Sequence, residues 1–122
     1  MSEERPKVWI GHAFMRSNKV AETTQFFTTI GARVVVGSDR MAVIELRGGT
    51  HIVLQRGEPT LEEEVAFDLM VEDLDAARRE YEELGLSPTD IQRGRIHDYF
   101  FLTEPAGQRI RINSSHVGDR VV

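Results

Sequence analysis

The chain has no cysteine, so it has no thiolate nucleophile, no disulfide and no thiolate metal site; its chemistry falls to imidazole, carboxylate and guanidinium groups. No serine has the strand–turn–helix surroundings of an activated nucleophile, and no glycine-rich phosphate loop is present. The most concentrated polar pattern is Arg109, Arg111 and Asn113, which alternate with Ile110 and Ile112 and so predict a strand with one face on a core and the other charged. Phe100, Phe101 and Leu102 precede it across a turn built on Pro105 and Gly107, which makes the stretch a hairpin. Near the other end of the chain, His12 shares a strand face with Phe14 and Arg16, while Trp9 falls on the opposite face, as core or as a dimer contact. His97-Asp98-Tyr99 opens another strand and could reach a cavity mouth. That trio, His116 in a polar tail and the acidic run Glu62-Glu63-Glu64 read first as solvated surface.

The elements that must position these groups fit within one domain: 122 residues can bury a sizeable core. With 40% hydrophobic and 29% charged residues, the composition is that of a soluble globular chain. A formal net charge of −5 argues against nucleic acid, because phosphate binding needs clustered Lys and Arg. The N-terminus is polar, and no apolar run approaches membrane-spanning length. The expected location is the cytoplasm, with no membrane partner.

Along the chain, residues 8–16 predict a strand, and Ser17 or Asn18 caps a helix carrying Val20, Thr23, Phe27 and Ile30 that Gly31 stops. Residues 33–36, 42–46 and 50–55 predict three short strands. An acidic connector follows, then a strand over 65–71 and a helix capped by Asp73, with Leu74, Ala77, Tyr81 and Leu84 on one face and Gly85 at its end. Residues 87–94 read as loop, and strands from 96 onward complete the set.

The order repeats, and the repeat can be counted. Gly31 lies 19 positions after His12, and Gly85 lies 19 after Ala66; Val53 lies four beyond Gly49, as Arg111 lies four beyond Gly107. His12 thus corresponds to Ala66, and Val53 to Arg111. The predicted fold is α+β: two tandem βαβββ half-modules (7–56 and 65–116, with connector 57–64) in a single domain spanning 1–122, forming a curved mixed sheet with a concave cavity.

In this order and spacing the chain resembles the vicinal oxygen chelate superfamily of glyoxalases, bleomycin-resistance proteins and extradiol dioxygenases. Gly11-His12, Phe26-Phe27, the run from Ala66 to Ala77 and the run from Thr103 to Ile112 carry the resemblance. It implies a divalent metal held from the first and last strands of each half, at positions that fall here on His12, Val53, Ala66 and Arg111. Of these only His12 can bind a metal, since valine and alanine offer no lone pair and a guanidinium stays protonated. The inherited set is dismantled, and no cofactor is expected. By the same correspondence His12, His51 and Asp68 could make a rebuilt triad for one divalent ion such as Ni, Zn, Mn or Fe, although Arg111 could instead pair with Asp68.

Two functions follow from the resemblance. One is a glyoxalase/bleomycin-resistance-like protein that binds a small molecule without the metal, in a pocket lined by His12, Phe14, His51, Gln55, Asp68, Arg111 and Asn113. The alternative is a metal-dependent lyase, isomerase or dioxygenase with a rearranged ligand set, or a metal-free acid/base catalyst in which His12 acts beside Asp68. Whether the chain is an enzyme stays open between them. The resemblance also implies a homodimer whose subunits complete each other's cavities.

Overall fold

The computed structural model describes residues 4–61 and 64–122. The first half runs β1 (His12–Ser17), α1 (Val20–Thr29), β2 (Arg33–Gly37), β3 (Met41–Glu45) and β4 (His51–Arg56). The second runs β5 (Leu69–Val71), α2 (Leu74–Glu83), β6 (Gln92–Arg93), β7 (Asp98–Thr103) and β8 (Arg109–Ser114). Each half is a four-stranded mixed sheet, ordered β1-β4-β3-β2 and β5-β8-β7-β6. In each, the first strand lies parallel to the last, and the other pairings are antiparallel. The predicted duplication is therefore the architecture.

The helices form where the pattern demands. Asp73 accepts a hydrogen bond from the Ala76 N–H at 3.0 Å and caps α2, and Gly31 and Gly85, at φ 111° and 79°, take the left-handed turn that ends each helix. Helix α1 begins instead after Lys19, with no side-chain cap; Ser17 accepts from the Lys19 N–H at 2.9 Å. Each helix covers one side of its own sheet. Phe26 and Phe27 meet Met15, Ile44, Ile52 and Leu54, while Leu74, Ala77 and Tyr81 meet Phe100, Leu102, Ile110 and Ile112. These side chains form one cluster across both halves, and burying each large one contributes about 1.5–3 kcal/mol.

The halves are joined by polar groups from the β7–β8 turn. The buried Glu104 carboxylate accepts from the Thr23 hydroxyl at 2.7 Å and from the backbone N–H groups of Ala106 and Gln108. Because the one Thr23 hydroxyl proton goes to Glu104, the Ser17 hydroxyl is the donor in its 2.7 Å contact with Thr23. Gln108 donates from Nε2 to the Arg16 carbonyl at 2.7 Å and accepts from the Thr60 N–H at 3.0 Å.

Three strand expectations need correction. Residues 8–11 are not part of β1; Val8, Trp9 and Ile10 stand 83%, 71% and 70% exposed, because β4 begins only at His51 and offers them no ladder. Among the described residues no strand pairs with 8–10, although the Ile10 carbonyl accepts from the Thr50 hydroxyl at 2.7 Å. The strand expected over 65–71 keeps only its last three residues, preceded by a single bridge from Glu64 to Arg109. The stretch read as loop over 87–94 contains the short β6, which pairs with β7 through Gln92 and Tyr99. Among the described residues no helix is long and apolar enough to cross a membrane.

Candidate functional site

The face of the second sheet turned away from α2 carries a cleft of about 690 Å³. Register sets its floor: Asn113 lies between Met70 and Tyr99, and Arg111 faces Phe101. The short β5 shapes one wall, because residues 66–68 leave the ladder and line the cleft; residues 94–97 form the other.

Arg111 is held from two sides. Its guanidinium donates to both Glu64 oxygens, at 3.0 and 3.3 Å, and lies 4.3 Å from the Tyr99 ring centre. The hydrogen bond to Glu64, more than any other influence, pushes the Arg111 pKa above its ordinary value; Asp68 adds a smaller push the same way. Arg109 stacks on Phe101 at 3.9 Å. Across the cleft, His97 Nδ1 lies 3.0 Å from the Ser114 carbonyl oxygen. A carbonyl can only accept, so Nδ1 carries a proton, and Nε2 is the ring nitrogen left for other contacts. The His116 ring packs edge-on against His97 with centres 4.8 Å apart.

The corresponding face of the first sheet is organised in rows. Register places His12, His51, Glu45 and Arg33 side by side across β1, β4, β3 and β2. The His12 and His51 rings are 5.8 Å apart, His51 Nε2 lies 3.3 Å from Glu45 Oε2, and Arg33 closes on the other Glu45 oxygen. The Arg33 hydrogen bond, aided by His51, holds the Glu45 carboxyl below the usual carboxylate range. Phe14, Val53 and Val43 make the next row, and Arg16, Gln55 and Met41 the third.

The seven expected pocket residues are thus divided between two sheets. Asp68, Arg111 and Asn113 line the cleft, all of whose lining residues come from position 64 onward. His12, Phe14 and His51 gather on the first sheet, and Gln55 lies in a separate depression beside Arg16, Arg40 and Arg56. The expected pairing of Arg111 with Asp68 gives way to Glu64, which the β5-side bridge to Arg109 brings alongside. His97 and Tyr99, from the trio read as able to reach a cavity mouth, line the cleft, whereas Glu64, Phe67 and His116 were not expected there, Glu64 giving no signal beyond its charge run.

The donor set does not fit the metal that the resemblance implies. Val53 and Ala66 have no donor, and Arg111 is a cation already committed to a carboxylate. Among the described residues no three His, Asp or Glu side chains are grouped so that they could hold an ion, so His12, His51 and Asp68 do not converge within the chain.

Two βαβββ units, each with a helix on one side and an open face on the other, define the glyoxalase/bleomycin resistance/dioxygenase fold. The chain belongs to the glyoxalase-like domain family, whose sequence profile matches residues 12–113. A lactoylglutathione lyase from Agrobacterium tumefaciens shares its fold with a TM-score of 0.75 at 12% identity, covering 94% of this chain and 99% of that one. A glyoxalase-related enzyme from Clostridium phytofermentans gives 0.73 at 18% identity, covering 93% and 99%. A glyoxalase/bleomycin resistance protein/dioxygenase from Alicyclobacillus acidocaldarius gives 0.69 at 16%, covering 91% and 94%. At these identities the likeness is one of fold. No match to this sequence is found among curated proteins.

Proposed function

We propose that this chain binds a small organic molecule in the cleft of the second sheet, with no metal at the positions the family uses for one. The observation that carries this reading is Arg111: a guanidinium, paired to Glu64 and stacked on Tyr99, occupies the position where the resemblance implies a metal ligand, and a fixed cation opposes a second cation. The cleft volume falls in the usual range for small ligands. Phe67, Met70, Ile96 and Tyr99 offer apolar and aromatic surface, while Asn113 and His97 Nε2 offer directional contacts.

The same reading takes the protein to be a homodimer. Phe14, at 68% exposed on the edge strand β1, and the exposed Val8, Trp9 and Ile10 just before that strand are apolar groups that a second copy would cover. Sedimentation at micromolar concentration should give a dimer, and the fluorescence of Trp9, the sole tryptophan, should shift to the blue as concentration rises.

Ligand binding is tested by a thermal-shift screen of catechols, glutathione thioesters and bleomycin-type compounds, each with and without divalent metals. An organic ligand should raise the melting temperature equally in the presence of chelator. Near-stoichiometric metal in protein purified without chelator, lost on His12→Ala, would overturn the metal-free reading in favour of the enzyme.

A further inference from the structure

A second polar cluster lies on the first sheet, away from the cleft. Register aligns Arg16, Gln55 and Met41 across β1, β4 and β3, and Arg40 and Arg56 flank that row, the Arg56 N–H donating to the Arg40 carbonyl at 2.8 Å. With Gly57 these residues line an open depression of about 640 Å³. Arg33, Arg47, Arg78, Arg93 and Arg111 all have carboxylate partners. Among the described residues Arg16, Arg40 and Arg56 have none. In a chain with 20 acidic residues against 15 basic ones, three guanidinium groups that line one depression without a salt bridge make it a locally basic spot.

The group is also anchored. Gln108 from the other half holds the Arg16 carbonyl, and the Gly57 N–H donates to the Ser17 carbonyl at 3.1 Å. The Arg16 stem runs directly over Gly57, where an added Cβ would stand 3.1 Å from Arg16 Cδ. An alanine there would make the stem shift by a few tenths of an ångström.

We propose that this depression binds a small soluble polyanion bearing phosphate groups, such as a phosphomonoester or diphosphate. Arg16, Arg40 and Arg56 supply forked donors that match phosphate oxygens, the Gln55 amide supplies a neutral donor, and Met41 supplies apolar surface for the organic part. A compact anion is favoured over nucleic acid, because the arginines form one spot rather than a track and the chain is acidic overall.

The test is isothermal titration of the full chain with inorganic pyrophosphate, and with sulfate at matched ionic strength. Pyrophosphate should bind one site per chain at least about tenfold more tightly than sulfate, as expected when extra charge-assisted bonds form. The double variant Arg40→Ala/Arg56→Ala should weaken pyrophosphate by at least about tenfold. Arg40→Gln alone and Gly57→Ala should each weaken it measurably while the circular dichroism stays unchanged. Absent saturable binding, equal affinity for sulfate, full affinity in the double variant, or tighter binding of a short single-stranded DNA would each overturn the proposal.

Discussion

Replacing Glu104 tests whether the two halves are held by a buried carboxylate rather than by apolar contact alone. Glu104 is 1% exposed and satisfies three donors: the Thr23 hydroxyl, the Ala106 N–H and the Gln108 N–H. In Glu104→Ala the Ala106 N–H is part-buried and can reach water, and Thr23 and Ser17 can still share one hydrogen bond. The Gln108 N–H is buried and loses its side-chain acceptor, at about 1–3 kcal/mol, and two charge-assisted bonds vanish with it. Part of that loss is offset because a buried charge is removed as well. The net destabilisation should be about 3 kcal/mol, which for a chain of this length lowers Tm by about 12 °C. Urea unfolding and calorimetry measure both quantities. Glu104→Gln keeps one acceptor and should lose less, and a double-mutant cycle with Thr23→Val should show coupling of about 1 kcal/mol. A loss below about 1 kcal/mol in Glu104→Ala, or no coupling to Thr23, would refute the account.

Arg111→Lys keeps the charge but gives up the fork to Glu64 and the stacking on Tyr99; it should lower stability by about 1 kcal/mol and weaken any ligand found in the thermal-shift screen, both read by repeating the melts with and without that ligand. Acid should destabilise the protein through Glu45 and Asp98, whose carboxyls are held below their ordinary 4.5 and 3.8, chiefly by hydrogen bonds from Arg33 and Arg93. A depressed folded pKa stabilises above the unfolded value and is lost as pH falls through the folded one. Urea midpoints measured from about pH 5 down to pH 2 should therefore fall, and less steeply in Arg33→Ala/Arg93→Ala.

Much of the fold was legible because it rests on local signals. Asp73 before an amphipathic run, glycines at the two helix ends and alternating strands each announce one element, and equal spacing in the two halves announced the repeat. That Val53, Ala66 and Arg111 offer no metal donor was equally plain, since it depends on side-chain chemistry alone. The strand ends were not legible: residues 8–11 and 66–68 have strand-like patterns, but a ladder exists only where a partner reaches, and pairing is decided by the other strand.

What the sequence determined by itself was therefore the doubled βαβββ order and the two apolar faces that make the core. Only the tertiary structure decided that Arg111 meets Glu64 rather than Asp68, and that His12 and His51 join Glu45 and Arg33 in a row apart from the cleft. It also turned Glu104, one residue of a turn, into the tie between the halves. The reason is common to all three: spacing along the chain tells which face a side chain takes within its own strand, whereas the partner it meets depends on register and on how sheets and loops from distant positions come together in space.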